Sequence, residues 1–497
     1  MPRKYQTSIG SFTRKSTFFW AAVGATVGLA NLWQFPYLAS QHGGGLFLLL
    51  YLACLLLVTL PLMVTETVFG RHARHGIVLA MDGYVKTAGG HRLWRMAGPL
   101  SIVAAFLVLS FTAVFGGIVL AYLFFGATGS FSGASPATAT GILSDLVANP
   151  GHYRQFMAWH AFFLLLVVLV SARGVVEGVE RSMRFLVPVT LVLMVGLFVL
   201  AAMNGRLGAG INQVLDLRPH QVGFDSVRAA FFHAFYTLGL GMGVWTIFGA
   251  YAAPHTRLKR SILAVVLMDT LVAIVAGIMM FSVAQGGFAL EGERGFSLLF
   301  VSLPVNLAQL PYDQAVIAAV FLVVVLIVWA TAISLLEPVI GWFREWIGAP
   351  RGLTVIIVGV AVWLMGLVSL FSFNVWAGYH PGGASPFRWL ELLAGGILIP
   401  LVGILIAAFT GWSMSRRYGR GMLGNASDPI QKYWYWVLRS VLPVVVAWIG
   451  LQYTVLSLAN LCENGNAAIW CGSEPSAMEV RPVQSEPGRD DIQYDGD

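Results

Sequence analysis

Apolar residues in this chain come in runs of about twenty, divided by short polar segments. A run of that length crosses a bilayer as a helix. The pattern predicts eleven such helices, roughly at 18–40, 44–70, 98–126, 158–173, 183–204, 224–252, 261–286, 314–343, 353–371, 386–412 and 434–460. In two of them the apolar pattern is broken. Within 18–40, Gly24 and Gly28 loosen the helix, Asn31 adds a polar amide and Pro36 lacks an N–H donor. Within 224–252, the stretch Tyr236-Thr-Leu-Gly-Leu-Gly-Met-Gly243 places three glycines in five residues.

Lipid offers no water to a freed backbone group, so a membrane helix breaks only where its backbone lines a cavity or binds something. Two broken helices in corresponding places of two halves point to the ion and substrate site of a transporter. Spans 1–5 and 6–10 therefore read as candidate inverted repeats, each beginning with a Gly-interrupted helix, and span 11 as an addition. The segments 127–157 and 287–312 are long enough to fold over an entrance.

Composition agrees with this picture: 57% of the 497 residues are hydrophobic and 11% charged, as in a polytopic membrane protein rather than a soluble enzyme. A net charge of +7 raises the question of nucleic acid, but its distribution answers it. With the N-terminus inside, 22 of the 30 Lys and Arg residues fall on the cytoplasmic side, the asymmetry that sets membrane orientation. The basic charge is topology, and no nucleic-acid partner is expected. This places 1–17 in the cytoplasm, 18–461 in the membrane domain and 462–497 outside. Lys4, Arg14 and Lys15 lead into a long apolar segment rather than the short one of a cleavable signal. The acidic tail reads as disordered. Its Cys462 and Cys471 suit either a disulfide in an oxidising compartment or two separate thiols. Cys54 reads as core. Gly43-Gly-Gly45 lacks the Lys of a phosphate-binding loop, and no catalytic constellation is visible, so no enzyme is expected.

Several stretches carry a family resemblance. Gly28-Leu-Ala-Asn-Leu-Trp-Gln-Phe-Pro-Tyr37, His42-Gly-Gly-Gly-Leu-Phe47, Tyr51, Pro61-Leu62, Glu66 and Gly70 resemble the opening of the neurotransmitter:sodium symporter family. Phe235-Tyr-Thr-Leu-Gly-Leu-Gly-Met-Gly243 and Ala332-Ile-Ser-Leu-Leu-Glu-Pro338 continue the likeness, and the eleven-span form with short loops resembles the bacterial branch. The resemblance implies an all-α, five-plus-five inverted-repeat fold with helices 1 and 6 broken. It also implies two sodium sites and an amino-acid substrate at the midplane.

Carried over by position, the first sodium site comprises the Thr26 carbonyl, Asn31, Thr237 and Asp269. All-oxygen ligation suits a hard cation. Asp269 stands where Asn is found in one bacterial pattern; its bland alternative is a protonated, hydrogen-bonded core Asp. The second site comprises the carbonyls of Gly24, Val27 and Ile327 with the Thr331 hydroxyl. Ala330 replaces the hydroxyl residue that usually precedes Thr331, which weakens this site, and Thr331 has the bland alternative of bonding its own helix. Chloride is not expected: Tyr51 matches one anion-site position, but His233 replaces a Gln and Ala273 holds the charge-bearing position.

The resemblance places Thr26, Leu29, Ala30, Val108, Thr112, Tyr236, Gly239, Met242, Thr331 and Leu335 around the substrate. Thr112 replaces a carboxylate-binding Tyr, and Tyr236 stands where Phe is usual and offers a hydroxyl. Gly28 removes the Asp that neutralises amines in monoamine carriers. A hydrophobic amino acid, its carboxylate met by sodium and the Leu29–Ala30 amides, is the implied substrate; Met242 and Leu335 serve equally well as packing. At the gates, Gln34 and Glu391 replace an Arg–Asp pair, with Gln34 expected to bond Glu391 or His233. Glu345 matches an acidic inner position with Arg14 or Lys15 nearby. The expected function is sodium-coupled import by alternating access; the alternative is a diverged, non-transporting amino-acid sensor or scaffold.

Overall fold

The computed structural model describes residues 9–204, 206–283, 296–415 and 427–463. Residues 1–8, the tail 464–497 with Cys471, and the part of the second long loop at 287–295 lie outside the described residues. Among the described residues the chain forms helices joined by turns and loops, with a single isolated bridge between Gly44 and Leu217 and no strand.

The first predicted span is three short helices: α1 (Thr17–Thr26), α2 (Leu29–Leu32) and α3 (Gln34–Gln41). Then follow α4 (Gly45–Ala73), α5 (Arg92–Ala127), α6 (Pro150–Ala172) and α7 (Val175–Met203). The sixth predicted span is two pieces, α8 (Phe224–Thr237) and α9 (Val244–Tyr251). The rest are α10 (Leu258–Val283), α11 (Asp313–Ile347), α12 (Arg351–Phe373), α13 (Pro386–Ser413) and α14 (Asp428–Val455). Nine helices among the described residues are thus long and apolar enough to cross a membrane, not eleven. The shortfall is physical: the two remaining spans are the interrupted ones, and none of their pieces is long enough alone. The fourth span begins earlier than its apolar run suggests, because helix continues through Tyr153-Arg-Gln before the hydrophobic residues start.

Small residues let these helices meet closely, as expected where lipid gives no hydrophobic drive to association. A Cβ on Gly117 of α5 would sit 2.8 Å from the His160 nitrogen of α6. Between α4 and α9 the backbones nearly touch. A Cβ on Gly70 would lie 1.7 Å from the Thr246 carbonyl oxygen, and one on Gly249 2.0 Å from that of Thr67.

At one end of the bundle the N-terminal segment is docked rather than loose. Ile9 and Phe12 are buried, Phe12 donates its N–H to the Tyr251 carbonyl at 2.7 Å, and its ring packs on those of Phe248 and Tyr251. At the other end, helices Pro136–Val147 and Leu303–Leu307, from the two long loops, pack on each other.

Candidate functional site

The two breaks face one another across the bundle. In the first, Val27 and Gly28 are extended, and Asn31 caps α2 by accepting the Gly28 N–H at 3.0 Å. In the second, Gly239, Gly241 and Gly243 have φ of 61°, 74° and 69°, the left-handed region that favours glycine. The backbone freed there is met from the side: Gly241 N–H donates to Glu66 at 2.9 Å, and Trp245 Nε1–H donates to the Leu238 carbonyl at 2.6 Å.

Between the breaks lies a cavity of about 160 Å³. Its wall contains all ten residues expected around a substrate: Thr26, Leu29 and Ala30 of the first break, Val108 and Thr112 of α5, Tyr236, Gly239 and Met242 of the second, and Thr331 and Leu335 of α11. Asn31 and Thr237 line it as well.

Behind this wall is a cluster of buried oxygens. Asp269, fully buried on α10, accepts from Asn31 Nδ2 at 3.0 Å, Thr237 Oγ1 at 3.2 Å and the Tyr51 hydroxyl at 3.3 Å. No cationic side chain pairs with it among the described ion pairs. A buried carboxylate facing only neutral donors is short of positive charge, and a small hard cation would supply it. A second oxygen group surrounds Thr331, whose hydroxyl lies 3.4 Å from the Gly24 and Val27 carbonyls and 3.1 Å from that of Ile327. One hydroxyl proton cannot satisfy three acceptors, so this group also suits a cation. On its flank a Cβ on Gly24 would lie 3.1 Å from the Ala330 methyl, so carbon stands where the second hydroxyl was expected. Elsewhere among the described residues, no three His, Cys, Asp or Glu side chains gather to hold a metal.

The profile of the Sodium:neurotransmitter symporter family matches residues 10–142 and 137–464. The chain belongs to this family. Among relatives, it is 30% identical over 448 residues to the uncharacterized sodium-dependent transporter YhdH of Bacillus subtilis, covering 88% of this chain and 96% of that one. An uncharacterized sodium-dependent transporter of Haemophilus influenzae is 24% identical over 453 residues, covering 89% and 97%. Among solved structures, the crystal structure of MhsT in complex with L-phenylalanine superposes with a TM-score of 0.78 at 30% identity, covering 90% of this chain and 99% of that one. As a member of the sodium:neurotransmitter symporter family, the protein is an integral membrane transporter of the all-α, broken-helix fold.

Within that family frame, several side chains have partners the sequence did not suggest. The Tyr236 hydroxyl donates to the Gly395 carbonyl of α13, so it braces the wall instead of reaching into the cavity. Glu391 is bound by Arg388 at 2.5 Å and by the Tyr453 hydroxyl at 3.0 Å. No hydrogen bond joins Gln34 to Glu391 or to His233 among the described residues, and the His233 ring lies buried between Phe35 and Tyr51. Arg388 precedes Glu391 by one helical turn and reaches it first. On this side of the cavity the structure instead gathers rings: Phe115 packs on Phe296 and Phe387, and Trp33 on Phe296.

At the opposite end Glu345 meets neither Arg14 nor Lys15. It accepts from the Gly76 N–H at 3.1 Å and pairs with His75 Nδ1 at 3.0 Å. A separate buried network joins Glu337 to the Tyr251 hydroxyl at 2.8 Å and to Arg351. Sequence reasoning also missed Ser334, which lines the cavity one turn beyond Thr331; helical spacing was the signal that would have found it.

Proposed function

We propose that this protein is a sodium-coupled symporter that imports an apolar amino acid by alternating access. The single observation behind the proposal is the cavity, because ten positions drawn from four separate stretches of chain line one space between two broken helices. In this reading the N-terminal segment lies in the cytoplasm of a bacterial cell and the chain sits in the plasma membrane, in keeping with the excess of Lys and Arg on that side.

Asp269, Asn31, Thr237 and the Thr26 carbonyl would hold one sodium ion; Thr331 with the carbonyls of Gly24, Val27 and Ile327 would hold a second, weakened by Ala330. Bound sodium supplies the positive charge that Asp269 and a substrate carboxylate both need. The remaining work belongs to the chain. Asn31 orients the first break through its cap on Gly28 and its bond to Asp269. Leu29, Val108, Met242 and Leu335 give the wall apolar surface suited to a hydrophobic side chain, and L-phenylalanine bound in MhsT supports that class. Gly28 offers no carboxylate to an amine. Asp269 can balance the cation without an anion, so chloride is not required.

Thermal stabilisation of the purified protein by amino acids, in sodium and in choline, tests this reading, followed by uptake in proteoliposomes. Stabilisation by apolar amino acids in sodium alone, with saturable sodium-driven uptake, is expected. Equal competition by an amino acid and its decarboxylated amine, valine and isobutylamine for example, would refute the carboxylate requirement. Ligand stabilisation without uptake would identify a sensor instead.

A further inference from the structure

The start of α1 hangs on one carboxylate that the site described above does not use. Glu180 lies in the π-helical opening turn of α7, Val175–Glu180, and is 3% exposed. Its Oε2 accepts the Thr13 N–H at 2.7 Å. Its Oε1 accepts the Thr17 hydroxyl at 2.7 Å, the Thr13 hydroxyl at 2.9 Å and the Arg14 N–H at 3.1 Å. Four donors thus converge on a carboxylate with about four acceptor sites, and no charged partner shares it among the described ion pairs. Such a group is stable when buried only while every donor stays in place. If residues 13–17 leave, Glu180 must be hydrated at once, so undocking and water entry are one event.

Position gives that event a consequence. The helix held at Thr17 carries the Gly24 and Val27 carbonyls of the Thr331 oxygen group. Beside that group α1 and α7 share a small cavity of about 20 Å³, lined by Val23 and Gly24 on one side and Val187 and Thr190 on the other, with Ala330 of α11. Separation of α1 from α7 at Glu180 would lead from the N-terminal end of the bundle to this place. The acidic residue expected to guard that end, Glu345, has its Oε1 held by His75 and Gly76.

We infer that Glu180 is the positioning residue of the inner gate: it holds the N-terminal segment and α1 against α7 and so closes the cytoplasmic path to the second cation group. The inference rests on the alternating-access reading. Its test uses the full chain with Cys54, Cys462 and Cys471 replaced by Ala and a reporter Val187→Cys, which is buried and faces Gly24. A membrane-impermeant maleimide is applied to inside-out vesicles without substrate. Glu180→Gln leaves one acceptor oxygen and sets an NH2 against the remaining donors. Loss of even one charge-assisted hydrogen bond should raise labelling about tenfold or more. Glu180→Asp should restore part of the protection, and labelling from the outer side should not rise. Equal labelling of the parent and a folded Glu180→Gln overturns the inference. Should Glu180→Gln not fold, Thr13→Val combined with Thr17→Val removes two donors without touching the carboxylate, and unchanged labelling there overturns it equally. Sodium-driven uptake by the reporter parent is measured alongside. Its absence would count against the transport reading, whereas a change in labelling on Glu180→Gln stands without it.

Discussion

Replacing Asp269 by Asn keeps the shape of the side chain and removes its charge, which separates ion binding from folding. In the structure the carboxylate accepts from Asn31, Thr237 and Tyr51 and faces no cation among the described ion pairs. A unit charge about 4 Å from a cation contributes about 4 kcal/mol at the effective dielectric of protein sites. The amide keeps one ligand oxygen, so a loss of about 3–4 kcal/mol is expected, or roughly two to three decades in sodium affinity. Without sodium the balance differs. The amide gives up about one hydrogen bond, roughly 1 kcal/mol, and relieves a buried charge whose burial costs several kcal/mol. The sodium-free variant should therefore be at least as stable as the parent. Thermal unfolding at constant ionic strength, with sodium exchanged for choline, reads both effects. At a concentration one hundred times its dissociation constant, sodium should stabilise the parent by about 2.7 kcal/mol. The variant, at the same concentration, should gain at most about 0.4 kcal/mol. A variant whose sodium response has a midpoint within about threefold of the parent would refute Asp269 as the charge that holds the cation.

Three further outcomes follow from the same geometry. Ala330→Ser places a hydroxyl beside Gly24 and should raise sodium affinity by about tenfold, the worth of one added polar contact; no change in the sodium dependence of uptake would argue against a second site. Tyr236→Phe leaves the Gly395 carbonyl without its donor, so the melting transition should fall by the equivalent of about 1–3 kcal/mol, while amino-acid competition stays within about threefold. If Asp269 supplies the balancing charge, as proposed, exchange of chloride for gluconate at constant sodium should leave uptake unaltered within about twofold; a larger fall would show that an anion is needed.

Much of the site was legible because backbone chemistry wrote it. Gly24, Gly28, Asn31 and the three glycines from Gly239 to Gly243 break otherwise apolar runs, and the structure breaks both helices there. The expected cavity residues, which the family resemblance supplied, share one wall. What sequence did not reveal depends on contacts between distant elements. Nothing local to Tyr236 announces Gly395, and nothing in Glu180 announces Thr13, since 159 and 167 positions separate these partners. Arg388 and Glu391 are the instructive exception: their spacing of three is visible in the sequence, and this local ion pair takes the carboxylate that the family pattern assigns to a distant partner. The aromatic cluster of Trp33, Phe115, Phe296 and Phe387 was missed because scattered aromatics in membrane spans are usually packing.

The seam between Gly70 and Gly249 determines which parts can travel separately. With each backbone lodged where the other's side chain would be, and the Thr246 hydroxyl donating to the Glu66 carbonyl at 3.2 Å, α9 can neither slide along α4 nor turn against it without prising the two apart. The pair is in effect one beam. Any rotation between the halves of the broken sixth span must therefore be absorbed by the few residues from Leu238 to Gly243, like a wrist between a fixed forearm and a moving hand. Alanine at Gly70 or Gly249 would not merely crowd an interface; it would split the beam.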